Sequence, residues 1–340
     1  MNVLKPLKSS SQQTQIAILG SGSWAPALAK IFTDAQNHVH WYVRDQEQAE
    51  AIRQKSRNAS YLFSVRFRSR NITVSTDINS VIRACDWIVL AIPSAFLDAT
   101  LKQIDLSFYE KRIISGVKGI VPESKYIVGE HLNKHYNLPV EQFLVIAGPS
   151  HAEEISLERL SYLTLACSKK SSVEQLKKLM LTKYFRAKTS NDVVGIEYTV
   201  TLKNVYALAV GIAHGLNYGD NFQSVIISNA IREMNRFLKK ISESSRNINQ
   251  SAYLGDLLVT AYSPFSRNRR FGNMIGRSAS IKSAQLEMKM IAEGYYACLS
   301  VYEFFQKNGV NTPILDTIYL ILYRHKNPIK VFRRLVEKLN

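Results

Sequence analysis

"ILGSGSWAPALAKIF", residues 18–32, runs from an apolar, β-branched stretch through Gly20, Ser21 and Gly22 into a segment with helical spacing. It reads as a strand, a tight turn and a helix. Gly20 allows the turn, Gly22 lets backbone approach a pyrophosphate, and a helix opening around Ser23 and Trp24 offers free N–H groups and a positive dipole end. Ala25 holds the third glycine position of this fingerprint, an allowed variant, and Pro26 falls in the first turn, where its missing N–H costs little. Any strand-to-helix turn can want glycine, so the context has to carry the reading.

That context is present. "QIAIL" (15–19), "VHWYV" (39–43), "ITV" (72–74), "WIVLAI" (87–92), "RIISG" (112–116) and "FLVIAG" (143–148) read as strands separated by helices. Such alternation implies a parallel sheet covered on both faces. After "TSNDVVGIEY" (189–198) apolar residues recur at helical spacing, as in "SVIISNAIREMNRFLKKI" (224–241). The expected fold is α/β, an N-terminal Rossmann-type doubly wound sheet followed by an all-helical C-terminal domain. The expected division is a flexible tail at 1–14, a dinucleotide-binding domain at 15–190 and a helical substrate-binding domain at 191–340.

Two domains also suit a chain of 340 residues with 46% hydrophobic and 21% charged residues. The longest apolar stretches fall short of the ~18 residues a membrane span needs, so none is expected. The polar start "MNVLKPLKSSSQQTQ" lacks the apolar block of an export signal. Cys85, Cys167 and Cys298 form no C-x-x-C pair, which points to a cytoplasmic location. His131 and His135 share a helix face without a third ligand, so a solvated face is expected there and no metal site anywhere. The formal charge of +17 favours an anionic partner, whether phosphorylated metabolite, nucleic acid or acidic lipid, without choosing among them. "VRFRSR" (65–70) and the basic amphipathic "KVFRRLVEKL" near the C-terminus read as solvated faces.

The residue expected to meet an adenosine ribose lies about twenty positions past the first glycine. Arg44 stands there, followed by Asp45. An arginine can clamp a 2′-phosphate, favouring NADP over NAD, although a strand-end arginine in solvent would read the same way.

"LKNVYALAVG" (202–211) places a lysine at the head of a helix otherwise suited to burial. An unpaired buried ammonium is costly, so Lys203 is either at a rim or kept for chemistry. Here the chain resembles the bacterial-type NAD(P)-dependent glycerol-3-phosphate dehydrogenases over residues 15–335. "GSGSWAPALA", "ISGVKGI" (114–120), "AGPSHAEEIS" (147–156), "GIEYTVTLKNVYALAVG" (195–211), "LGDLLVTAYSPFSRNRRFG" (254–272) and "AEGYYA" (292–297) carry the likeness in order.

The resemblance implies that Lys203 is the acid/base residue, Lys118 a second catalytic cation that also contacts substrate and cofactor, and Asp256 a carboxylate holding both the lysine and a substrate hydroxyl. It implies that Ser266, Arg267 and Asn268 meet the phosphate, with Arg267 also reaching the cofactor. Asn204 would orient substrate, with Gly148 and Ser150 lining the crevice beyond the sheet. Ala152, Ile291 and Glu293 would border the cofactor, as would Gly20, Gly22, Ser23, Trp24 and Arg44. The implied activity is hydride transfer between NAD(P)H and dihydroxyacetone phosphate, supplying glycerol 3-phosphate for phospholipid synthesis. A homodimer with a small phosphorylated substrate is expected, and no nucleic-acid partner, since no nucleic-acid reader accompanies the arginines.

Several positions depart from the family pattern. Ala25 and Pro26 replace Gly–Thr, Phe63 a proline, Val117 a threonine, Tyr253 a glycine, and Asn229 and Ala230 an Arg–Gly pair. These departures and the high charge leave one rival, a non-catalytic nucleotide-sensing or nucleic-acid-binding relative. A dehydrogenase for another 2-hydroxy acid is disfavoured by the residues at 266–268.

Overall fold

The computed structural model describes residues 13–58, 61–62, 65–67, 69–242, 244–288 and 292–339. Most of the expected tail, Phe63, Arg68 and Ile291 therefore lie outside the described residues.

Among the described residues ten strands form: β1 (Gln15–Leu19), β2 (His38–Tyr42), β3 (Ile72–Ser75), β4 (Trp87–Leu90), β5 (Arg112–Ser115), β6 (Ile120–Val121), β7 (Tyr126–Ile127), β8 (Phe143–Ala147), β9 (Ser161–Ala166) and β10 (Phe185–Ser190). Eight make one sheet in the order β10-β9-β8-β5-β4-β1-β2-β3, and β6 and β7 make a small antiparallel pair. The run β3-β2-β1-β4-β5-β8 is parallel and has the doubly wound order. Alternate residues of β1 enter different cores: Ile16 and Ile18 pack on one side of the sheet, Ala17 and Leu19 on the other. The latter core continues into the helices beyond residue 192, through Leu202, Val205 and Leu208.

The six strands read in the sequence pair in parallel as expected; two further strands, β9 and β10, extend the sheet, with β9 antiparallel to β8. The connection at 148–160 carries only the short helix Ala152–Ser156, and the chain turns back beside its own strand. A correction concerns His131 and His135. They share a face of the helix Val128–Tyr136 as expected, with ring centroids 4.9 Å apart. His131 is nevertheless buried, bonding Ser124 Oγ at 2.9 Å and facing Asp98, so only His135 is solvated.

Past β10 the described chain is helical. The helix Val193–Gly215 is apolar around nearly its whole circumference and correspondingly buried along its length. Asp192 caps it, accepting from the Gly195 amide at 3.2 Å. It crosses the helix Arg267–Gly276 with backbones almost touching. A Cβ at Gly211 would stand 2.1 Å from the Arg269 carbonyl oxygen, and one at Gly272 2.3 Å from that of Leu208. The C-terminal basic segment forms the helix Pro328–Val336, burying Val331, Phe332 and Leu335 and exposing Lys330, Arg333 and Arg334. Among the described residues no helix is long and apolar enough to cross a membrane.

Candidate active site

The glycine-rich turn follows β1 as expected. Gly20 has φ +121°, and a Cβ there would stand 2.4 Å from the Ala91 carbonyl oxygen, so the turn tolerates only glycine. Its carbonyl accepts from Trp41 Nε1 at 2.7 Å. Gly22 faces open space, with nothing within 4 Å of a built Cβ. Ser23 is the N-cap of the helix Trp24–Asp34, but no side chain caps that end. The first-turn N–H groups thus lack a side-chain acceptor, and Trp24 Nε1 is buried without a hydrogen-bond partner among the described residues. An open glycine face, an uncapped helix start and an orphaned indole donor fit the phosphates and polar edges of a dinucleotide. Arg44 is exposed just past the end of β2. Asp45 beside it is engaged as the N-cap of the helix Gln46–Lys55, accepting from Gln48 N at 2.7 Å.

Beyond the carboxyl ends of β5 and β8 lies a pocket shared between sheet loops and helices. Lys118, Ser150, Lys203, Asn204, Asp256, Ser266, Arg267, Asn268 and Glu293 all line it. The rim alternative for Lys203 is excluded. Its side chain is 4% exposed, its Nζ lies 2.5 Å from Asp256 Oδ1, and Asp256 is wholly buried. The other carboxylate oxygen accepts from the Gly148 amide at 3.2 Å. Gly148 reaches that position with φ +111°. Asn204 donates to the Lys118 carbonyl at 3.3 Å, tying the lysine helix to the loop after β5.

Lys118 sets its ammonium over the Trp24 indole, 5.0 Å from the ring centroid. Burial, and then repulsion from Lys203, lower its pKa from the usual 10.5 to about 8, against the opposing pull of Asp256 and Glu293.

Ser266 caps the helix Arg267–Gly276, its Oγ accepting from Arg269 N at 3.3 Å, which leaves its O–H to donate. Asn268 Oδ1 accepts from the Gly294 amide at 2.9 Å, so its amide NH2 is the remaining donor. With Arg267 at the first turn of the same helix, this corner gathers donors and a positive dipole end, the chemistry of a phosphate site. Ser150 Oγ turns back to the Gly148 carbonyl at 3.0 Å while lining the pocket. Glu293 opens the helix Glu293–Lys307.

Ala152 is not at the pocket; it is buried in the same sheet core as Ala25, at the start of the Ala152–Ser156 helix. Sequence reasoning missed His151, Val259, Thr260 and Phe265, which also line the pocket. His151 lies inside the quoted "AGPSHAEEIS" segment, and its Nε2 is buried without a partner among the described residues. Burial and then Lys118 hold its pKa below the usual imidazole value.

The chain is similar to known proteins over nearly its whole length. Residues 15–173 match the model of the NAD-dependent glycerol-3-phosphate dehydrogenase N-terminus, and residues 192–333 that of the C-terminus. A glycerol-3-phosphate dehydrogenase [NAD(P)+] of Corynebacterium jeikeium is 33% identical over 89% of this chain and 92% of its own length. One from Clostridium botulinum is 32% identical over 93% and 94%. The crystal structure of glycerol-3-phosphate dehydrogenase from Coxiella burnetii superimposes with a TM-score of 0.89 at 26% identity, covering 96% of this chain and 99% of that one. With both halves matched in order and relatives aligned over nearly their full length, the chain belongs to the family of NAD(P)-dependent glycerol-3-phosphate dehydrogenases.

Proposed function

We propose that the protein catalyses reversible hydride transfer between NAD(P)H and dihydroxyacetone phosphate, supplying glycerol 3-phosphate for phospholipid synthesis. The observation that carries this reading is a buried ammonium–carboxylate pair, Lys203 with Asp256, in a pocket that also holds Arg267, Ser266 and Asn268. A bound nicotinamide supplies the hydride for the ketone carbon. Gly20, Gly22, Ser23, Trp24 and Arg44 hold the dinucleotide, and Lys118, Arg267 and Glu293 meet it at the pocket. Of the residues implied for that role, Ile291 lies outside the described residues, and Ala152 sits at the start of the helix after Gly148, next to the pocket residue His151.

As the carbonyl oxygen gains negative charge, the Lys203 ammonium donates a proton to it and is left as the neutral amine. In the reverse direction that amine accepts the hydroxyl proton. Asp256 holds the amine in place through its hydrogen bond to Nζ. Lys118 adds positive charge beside the developing oxyanion, and Asn204 orients the substrate. Arg267, Ser266 and Asn268 clamp the phosphate at a helix N-terminus. Gly148 and Ser150 form the wall behind.

Exposed Arg44, with its acidic neighbour already engaged as a helix cap, supports NADP over NAD. The three cysteines are free and buried, which suits the cytoplasm. The domain division is drawn near residue 190, between the last strand and the lysine helix. The homodimer reading rests on the family resemblance, and sedimentation of the purified protein tests it. For the reaction itself the test is NADPH and NADH absorbance with dihydroxyacetone phosphate as sole acceptor. Oxidation of neither cofactor, together with salt-dependent binding to DNA or RNA, would replace this reading with the non-catalytic one.

A further inference from the structure

Tyr253, the residue that stands where the family pattern has glycine, is 3% exposed and donates its hydroxyl to Asp192 Oδ2 at 2.6 Å. Arg246 grips the same carboxylate with both ends of its guanidinium, Nε to Oδ2 at 2.5 Å and Nη2 to Oδ1 at 2.8 Å. The same carboxylate also accepts from the Gly195 amide, capping the helix that carries Lys203. Glycine at 195 is what makes room for this cluster. A Cβ there would stand 2.1 Å from Asp192 Oδ2 and 2.6 Å from Arg246 Nε. Arg246 also donates through Nη1 to the Leu238 and Ser242 carbonyls, both at 3.1 Å, so one side chain joins the end of the helix Asp220–Ile241 to the start of the lysine helix.

Tyr253 belongs to a single π-helical turn, Ser251–Gly255, and Asp256 is the next residue. Such a turn adds a residue to the helical repeat and re-aims the side chains C-terminal to it. The connections close a ring: Asp192 to Lys203 along one helix, Lys203 to Asp256 across the buried ion pair, Asp256 back through the π turn to Tyr253, and Tyr253 to Asp192.

We propose that Tyr253 and Arg246 are positioning residues, which through Asp192 fix the register of Asp256 against Lys203 and so set the geometry of proton transfer. The proposal rests on the catalytic reading of Lys203 given above. Neither residue lines the pocket, and each acts on the reacting atoms only through this ring. The tyrosine replaces a glycine's flexible link with a hydrogen-bonded anchor three residues before the catalytic carboxylate.

The test is Tyr253→Phe, which keeps the ring and removes the hydroxyl. It is read by steady-state kinetics with NADPH and dihydroxyacetone phosphate and by amide hydrogen exchange over residues 248–257. The expected result is kcat lower by about ten-fold, as a small displacement of reacting groups produces, with both KM values within about two-fold and faster exchange at 251–257. Wild-type kcat, or a raised KM at unchanged kcat, would overturn the proposal. Should Tyr253→Phe fail to fold, Arg246→Lys, which keeps the charge but loses the fork, is read against the same criteria. In the double variant the two losses in kcat should combine to less than their product, because both pass through one carboxylate; a full product would contradict the shared route. If the wild type turns over no dihydroxyacetone phosphate, the catalytic reading falls. The anchoring then stands or falls on exchange alone, with faster exchange in Tyr253→Phe supporting it and unchanged exchange overturning it.

Discussion

The Lys118 ammonium lies 5.0 Å from the centroid of the Trp24 indole, so the first residue of the glycine-turn helix and the loop after β5 meet face to face. A cation over an aromatic face is attracted by the ring's quadrupole, which helps hold Lys118 at the junction of the dinucleotide turn and the substrate pocket. The same lysine lines that pocket with Lys203 and Arg267, and the three cations face the acidic groups Asp256 and Glu293. The site is therefore built for an anionic ligand, with enough carboxylate to prevent the lysines from repelling each other apart.

Replacing Lys203 by alanine should lower turnover by about 100- to 10,000-fold, the usual worth of a positioned proton donor. NADPH binding, measured by fluorescence titration, should stay nearly intact. Because Asp256 is then buried without its cation, urea unfolding should also show a loss of about 3–5 kcal/mol. An active variant would remove the proton-donor role.

Arg267→Ala should raise KM for dihydroxyacetone phosphate by about 10- to 100-fold, the loss of one or two charge-assisted hydrogen bonds. Unphosphorylated dihydroxyacetone should be much less affected. Equal losses for both acceptors would take the phosphate away from this residue.

The pH dependence comes from Lys118, whose pKa falls from 10.5 to about 8 in the fold. As pH rises through about 8 the lysine loses its charge, so KM for the phosphorylated substrate should increase there. Lys118→Met should flatten that rise. For stability the sign is opposite to that of a salt-bridged lysine. Between about 8 and 10.5 the unfolded chain binds the extra proton, so this group's contribution improves as pH climbs across that window. Its cost is fully present below 8, and chemical denaturation at several pH values measures the slope.

Alanine at the two glycines of the turn should separate folding from binding. Gly20→Ala meets both a left-handed φ and the Ala91 carbonyl, so a stability loss of at least about 1–3 kcal/mol is expected. Gly22→Ala meets nothing within 4 Å and should leave the unfolding midpoint unchanged while weakening dinucleotide binding. Wild-type NADPH affinity in Gly22→Ala would show that this face does not contact the cofactor.

Arg44→Ala should lower kcat/KM with NADPH by about ten-fold or more, the loss of a charge-assisted contact, and leave NADH nearly unaffected. Parallel loss with both cofactors would assign Arg44 to the adenine or to stability instead of the 2′-phosphate.

The parts of this fold that can be read from sequence are those where one interaction dominates. β1 is apolar at nearly every position because both of its faces are covered, and its bounds come from that run alone. β10, "FRAKTS", lies at the sheet's edge with Arg186, Lys188 and Thr189 in solvent, so it carries no hydrophobic pattern to read. β9 is absent from the strands read in the sequence although it is mostly apolar, and its antiparallel pairing depends on a turn whose residues have no strong signature. At the site, the glycine turn is local and its geometry is legible. The Lys203–Asp256 bond spans 53 residues of sequence, and only family likeness links the two. The π turn at Ser251–Gly255 and the burial of His131 are products of tertiary packing, which local periodicity does not report.

The near-contact of the two helix backbones at Gly211 and Gly272 has one more consequence. One of those helices carries Lys203, the proposed proton donor to the ketone, and the other carries Arg267, the proposed phosphate ligand. Where glycines let the backbones meet, there is no side chain to repack, and the helix-to-helix distance is fixed there. On the proposed roles of Lys203 and Arg267, a homologous keto-phosphate with an extra methylene between its two functional groups should bind less well than the three-carbon one, because the scaffold does not lengthen to fit it.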